Sequence, residues 1–121
     1  MKFIIPFFAF VLLLACNNDD DSHIFCTDNF VYGLNVTVRD ASSNEILKEG
    51  ITVIATDGFY SEELIAREWS DNFFGAGERQ GNYIITVIGE GYQTFVSETI
   101  IVSGDVCHVF TELLEFSLVT N

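Results

Sequence analysis

The sequence predicts an all-β fold, a single β-sandwich, and three observations carry that expectation. From Phe30 onward the chain divides into short runs rich in Val, Ile, Thr and Tyr, separated by turns of Gly and Asp. The whole chain has one proline. No stretch carries the long 3.6-residue apolar period of an amphipathic helix. Short strands of this kind bury their apolar faces by packing one sheet on another.

Taken in order, Tyr32, Leu34, Val36 and Val38 alternate with Gly33, Asn35, Thr37 and Arg39, the period of two of a half-buried strand. Asp40-Ala41-Ser42-Ser43-Asn44 is turn chemistry. Residues 51–56 form a second β-rich run, ended by Asp57-Gly58. The stretch from Asp57 to Gly81 is the least regular, and one or two short strands with a turn of helix near residues 62–68 are expected there. Residues 83–88 and 92–96 flank Gly89-Glu90-Gly91, a hairpin in which glycine supplies the positive φ. Residues 98–102 turn at Ser103-Gly104-Asp105 into a strand at residues 107–110, and residues 113–118 finish the set.

The amino terminus has a different character. Lys2 precedes an apolar run of twelve residues, Phe3 to Leu14, followed by Leu13-Leu14-Ala15-Cys16 when the junction is included. A spanning helix needs about 20 apolar residues, so the run is too short to cross a bilayer. The pattern is that of a secretory signal peptide and resembles the lipobox of bacterial lipoproteins. The resemblance implies cleavage after residue 15 and lipid on Cys16, so the organisation expected is a leader at 1–15, a lipidated cysteine and acidic tether at 16–25, and the sandwich at 26–121. One acyl chain anchors only marginally, whereas the several that the resemblance implies hold a protein to the membrane. The acidic run after Cys16 also resembles the signal that sends lipoproteins to the outer face of the outer membrane in one group of Gram-negative bacteria. A generic solvated linker is the alternative reading of the same residues.

Charge narrows the partners. The chain has 18 acidic against 5 basic residues, a formal net charge of −13. Such a surface repels phosphate backbones and anionic headgroups, which argues against nucleic acid and leaves membrane attachment to the lipid.

With Cys16 assigned to lipid, Cys26 and Cys107 remain as an even pair in an oxidising compartment, and a disulfide is expected. Neither lies in a C-x-x-C or metal-ligand spacing, so no metal or cofactor is expected. A bridge over 81 positions is worth about 4–5 kcal/mol in the chain-entropy model.

Catalytic signals are weak. G-x-S-x-G, H-E-x-x-H and phosphate-loop patterns are absent from the sequence, and the Gly75–Gly81 segment lacks the lysine and the strand-to-helix setting that phosphate chemistry requires. Cys107 and His108 are neighbours on an expected strand and would point to opposite faces. Glu62, Glu63, Glu68 and Asp71 read as a solvated face, with calcium ligation as a minor option, and Glu78 with Arg79 reads as a loop ion pair. No enzyme is expected. Phe59, Tyr60, Trp69, Phe73 and Phe74 form the candidate binding loop, an aromatic platform for a sugar or a partner protein. Core filling is the competing reading of the same residues.

Leu34-Asn35-Val36-Thr37-Val38-Arg39-Asp40, Gly50-Ile51-Thr52-Val53, Gly81-Asn82-Tyr83-Ile84-Ile85-Thr86-Val87 and Gly89-Glu90-Gly91-Tyr92 occur in that order. Together they resemble carboxypeptidase regulatory-like domains. Gly77-Glu78-Arg79-Gln80-Gly81-Asn82-Tyr83 with Cys107-His108-Val109 is similar to a secreted subgroup in which an E-R-x-G-x-Y loop precedes a C-H-V strand. The resemblance implies a seven-stranded transthyretin-like sandwich. It does not imply peptidase activity, because the family's catalytic metal site lies in a separate domain. The longer Gly-rich loop ending at Gly81 departs from the family pattern. An immunoglobulin-like sandwich is second, since that fold places a tyrosine two residues before its second cysteine and position 105 is Asp. The function expected is a membrane-anchored accessory or structural module binding an envelope protein, with carbohydrate binding or adhesion through the aromatic loop as the alternative.

Overall fold

The computed structural model describes residues 24–121. The expected leader, Cys16 and the acidic run after it lie outside the described residues.

Among the described residues there is no helix, and nine strands form two sheets packed as a sandwich. They are β1 (Tyr32–Asp40), β2 (Ile51–Asp57), β3 (Tyr60–Glu63), β4 (Ile65–Ala66), β5 (Phe73–Gly77), β6 (Gly81–Gly89), β7 (Phe95–Val96), β8 (Ile100–Val102) and β9 (Glu112–Leu118). One sheet runs β4-β5-β1-β9 and the other β3-β2-β6-β7, with β8 also paired to β6. The sandwich is as expected, with nine strands rather than seven. Strand β1 pairs antiparallel with β5 and parallel with β9, in register from Leu34 opposite Glu112 to Asp40 opposite Leu118.

The core follows from the alternation. Leu34, Val36 and Val38 of β1 face Val53 and Ala55 of β2 and Tyr83, Ile85 and Val87 of β6, all buried. Each fully buried side chain of Val or Leu size contributes about 1.5–3 kcal/mol.

Three local expectations are corrected. Residues 62–68 hold no helix, because burial there has period two: Tyr60, Glu62 and Leu64 turn inward and Ser61, Glu63 and Ile65 outward. Leu64 N donates to Val53 O at 2.8 Å, which carries the chain past the core in extended form. The second arm of the expected hairpin shrinks to Phe95–Val96. Gly91 does adopt φ +87°, but Tyr92 then leaves for the C-terminus, where it bridges Thr120 and donates its hydroxyl to Asp40 at 2.7 Å. Residues 107–110 are not a strand. Asp105 Oδ1 accepts from the N–H groups of both Cys107 and His108 at 2.9 Å, a turn that leaves only the isolated Gly104–Val109 bridge.

Candidate functional site

Strand β1 breaks its own alternation at Gly33. Gly33 and Leu34 are both buried, and a Cβ on Gly33 would meet Val102 at 2.6 Å in the core. The consequence is that Tyr32, expected to face the core with Leu34, lies instead on the outer face of the four-stranded sheet. Its ring lies 5.5 Å from Phe74, which in turn lies 5.5 Å from Trp69. Phe30 meets the other side of Tyr32 edge-on at 5.2 Å. Four aromatic rings from the segment before β1, from β1, from β5 and from the β4–β5 loop therefore form one row.

The row is braced. Arg67 donates to the Tyr32 hydroxyl, with its guanidinium carbon 5.9 Å from the ring centroid. Lys48 Nζ holds the carbonyls of Arg67 and Ser70, each at 2.7 Å, so the loop carrying Trp69 is tied at both ends. Beside the rings runs a polar chain: Thr37 donates to Asn72 Oδ1 at 2.9 Å and Asn72 Nδ2 to Asn35 Oδ1 at 2.7 Å.

The five residues of the candidate loop are divided by the structure. Trp69 and Phe74 join the row. Phe73 is core, paired opposite Val36 and 3% exposed. Tyr60 packs inward with the Arg79 guanidinium 3.6 Å above its ring, and Phe59 stands fully exposed at the β2–β3 turn. Sequence reasoning missed Phe30, Tyr32, Asn35, Arg67 and Asn72. The one signal available was Gly33, a residue without a side chain inside an otherwise regular strand.

The opposite outer face is unlike this one. At the centre of the five-stranded sheet the outward positions include Thr52, Ile54 and Thr56 of β2 and Ile84, Thr86 and Ile88 of β6, flanked by Val96 and Ile101, with Asn82 of β6 and Ser61 and Glu63 of β3 outward at the margins. Ladder pairs set them side by side: Thr52 opposite Ile88, Ile54 opposite Thr86, Thr56 opposite Ile84, and Thr86 opposite Val96. The eight central and flanking residues are β-branched and none is charged. Glu63 on β3, opposite Ile54, marks one border.

Between the faces, at one end, lies a clasp on the segment that precedes β1. Cys26 and Cys107 form the expected disulfide, with Cα atoms 5.2 Å apart. His108 Nδ1 lies 2.6 Å from Glu78 Oε2 and Nε2 lies 2.8 Å from Thr27 Oγ1. A carboxylate only accepts, so Nδ1 carries the proton, and in the neutral ring Nε2 accepts from Thr27. Glu78 also takes the N–H groups of Val31 and Val109 at 3.0 and 3.2 Å. Burial works to raise the Glu78 carboxyl, but the bond from His108 and the two backbone bonds outweigh it and hold the group below its ordinary value. Phe30 closes over Gly77, where a Cβ would stand 2.2 Å from the ring. Ala76 and Glu78 on either side adopt φ +53° and +50°, strain that the Glu78 bonds offset.

Glu78 and Arg79 do not pair with each other. Arg79 Nη1 reaches Asp57 at 3.1 Å and the Tyr83 hydroxyl at 2.9 Å, and Tyr83 donates to the Arg79 carbonyl at 2.9 Å. The two charges of the E-R-x-G-x-Y segment thus work apart, one on the N-terminal segment and one over Tyr60 and Tyr83.

Thr27, His108 and Glu78 reproduce the hydroxyl, imidazole and carboxylate order of a hydrolase triad. Four nearby backbone amides are engaged within the site: Val31 and Val109 donate to Glu78, and Cys107 and His108 to Asp105. The same bonds fasten the segment that precedes β1 to the β5–β6 and β8–β9 connections. Glu62 is likewise structural, accepting from the Tyr60 hydroxyl at 2.7 Å and Ala76 N at 3.1 Å. Among the described residues no group of three or more His, Cys, Asp or Glu is placed to hold a metal ion.

Fold and clasp define a small disulfide-bonded β-sandwich with two contrasting outer faces. No protein-family model matches the chain, and no curated protein matches it.

Proposed function

We propose that this protein is a non-enzymatic lipoprotein of the cell envelope, held in the outer membrane by acyl chains on Cys16. Its sandwich acts as an accessory module that docks a partner protein on the outer face of the five-stranded sheet. One observation carries the reading: in a chain of net charge −13, the outward side chains of the central strands β2 and β6 are all uncharged, mostly Ile and Thr, and the charge nearest to them is Glu63 on the bordering strand β3. Exposed apolar surface gathered on one face marks an interaction site, whereas single exposed apolar residues do not. The partner presents an apolar surface without an acidic rim, because acidic groups there would be repelled by the surrounding carboxylates. The carboxypeptidase regulatory-like resemblance is consistent with an accessory role, and the clasp at Cys26 and Cys107 ties the domain firmly to the segment that leads back to Cys16.

Crosslinking of the tagged full chain on intact native cells tests the proposal, comparing the unaltered protein with an Ile84→Lys, Ile101→Lys double variant. Stoichiometric recovery of one envelope protein, lost in the variant, is the expected result. Recovery of the lipoprotein alone, or of the same partner with both proteins, overturns it.

A further inference from the structure

We propose that the outer face of the four-stranded sheet is a binding site for an uncharged linear polysaccharide. Its sugar rings lie along Phe30, Tyr32, Phe74 and Trp69, and its hydroxyls bond the side-chain amides of Asn35 and Asn72. This site is separate from the face assigned to a partner protein and stands or falls independently of it.

Three features specify the ligand. First, the rings are held in sequence at 5.2, 5.5 and 5.5 Å, and the two terminal ones are open to solvent, Phe30 at 62% and Trp69 at 75%. The ring planes turn from one to the next, by 83° between Phe30 and Tyr32, 43° between Tyr32 and Phe74 and 37° between Phe74 and Trp69, so the open area is stepped and each sugar meets it through one exposed ring, Trp69 at one end and Phe30 at the other, while Arg67 and Lys48 fix the loop bearing Trp69. Second, the polar chain from Thr37 through Asn72 ends on the Asn35 amide, whose N–H donors have no partner among the described residues. A clamped amide with free donors beside a ring suits a hydroxyl. Third, two surface clefts of about 400 and 410 Å³ meet at Asn35, and Glu115 is the one charged residue lining them. Arg39 bonds Glu115 at 3.3 Å, so the two clefts are close to neutral within a strongly acidic chain, and the charge at the rings themselves is the Arg67 guanidinium held on the Tyr32 hydroxyl.

A peptide fits less well. Extended peptides are read through unpaired strand edges, whereas these rings lie on the face of the sheet where β1 pairs β5, and Asn35 and Phe74 are each paired on both sides.

The test is affinity electrophoresis of the purified full chain through native gels containing hydroxyethyl cellulose, xyloglucan, galactomannan or dextran, with carboxymethyl cellulose as the charged comparison. At least one neutral polymer retards the protein. Trp69→Ala weakens that retention about tenfold, the value of one stacked ring, with an unchanged thermal midpoint, and Asn35→Ala weakens it several-fold. Phe59→Ala, which removes a still more exposed ring outside the row, leaves retention intact, as does the Ile84→Lys, Ile101→Lys variant. Absence of retardation by every polymer, equal retention of Trp69→Ala, or loss with Phe59→Ala overturns the proposal.

Discussion

On the five-stranded sheet every outward position of β2 and β6 from Thr52 to Thr56 and from Asn82 to Ile88 is Thr, Ile or Asn. Across the core the four-stranded sheet turns outward Tyr32, Phe74, Asn35 and Thr37, with Leu113 and Glu115 on β9 beside them. Both faces back onto the same core, yet one follows strict alternation and is nearly uniform, while the other includes the break at Gly33 and is mixed. A uniform β-branched face offers apolar area without directional bonds, which suits a broad protein contact. Rings beside clamped amides offer direction, which suits a small repeating unit. The difference also lies in what holds each face. The β-branched face is made by strand register alone, whereas the aromatic face depends on the Gly33 switch, on Lys48 and Arg67, and on the disulfide that brings Phe30 into place.

That dependence makes the largest expected effect asymmetric. Reduction of Cys26–Cys107, or Cys107→Ser, removes about 4–5 kcal/mol of stability in the chain-entropy model for an 81-residue separation. Below its lowered denaturation midpoint the reduced protein keeps the five-stranded face and loosens Phe30 at the aromatic one. Denaturant unfolding with and without reductant measures the first effect, and amide exchange of β2 against β1 the second.

Next in size is a contrast between two leucines on adjacent strands of one sheet. Leu34 is fully buried and Leu113 is 77% exposed. Leu34→Ala costs about 2–5 kcal/mol and weakens both faces together, because both rest on the same core. Leu113→Ala changes stability by less than about 0.5 kcal/mol. Equal costs in equilibrium unfolding would mean that the two sides of β9 and β1 are wrongly assigned.

Acid separates the faces further. Glu78 is held low by bonds that outweigh its burial, Asp105 by the N–H groups of His108 and Cys107, and Asp40 by the Tyr92 hydroxyl and the Ser43 and Ser42 amides. Lowered carboxyls contribute stability that is fully present above their unfolded values, 4.5 for Glu and 3.8 for Asp, and lost as pH falls through the lowered ones. The thermal midpoint is therefore steady with respect to these groups above about pH 5 and falls below about pH 4. Two of the three hold the clasp beside Phe30, and none lies among the eight β-branched side chains. Glu78→Gln flattens part of the acid slope, and a slope unchanged by it would remove Glu78 from the account.

The smallest expected effect is on stability at the uniform face. Ile84→Thr and Ile88→Thr keep the β-branched shape and shift stability within about 0.5 kcal/mol, while weakening capture of the partner on cells. A large loss of stability would reassign these side chains to the core.

Much of the fold was legible because alternation is a physical signal. Leu34 to Val38, Ile51 to Thr56, Tyr83 to Ile88 and Leu113 to Leu118 all fall within strands, and counting cysteines found the disulfide. What stayed hidden depends on contacts distant in sequence. Tyr32 has the spacing of a core residue, and the break in alternation, with Gly33 and Leu34 both buried opposite the buried Ala76 and Gly75 and with Ala76 at positive φ, is visible only once β1 and β5 are paired. Phe73 and Phe74 are identical by type, and the register of β5 against β1 sends one to the core and the other to the row. Tyr92 reads as a strand residue until its bonds to Asp40 and the C-terminal segment are known. Residues 60–66 carry a period of two that is masked in the sequence, because the inward position at 62 is a glutamate whose carboxylate is held by Tyr60 and Ala76.

The central claim is that the β-branched face, and not the aromatic one, receives a protein. A photo-crosslinking residue placed singly at Ile84, Ile101 or Leu113 of the full chain in intact cells tests it most directly. A discrete protein adduct from Ile84 and Ile101, with none from Leu113, is the predicted result. Adducts of equal yield from all three positions, or from Leu113 alone, would contradict it.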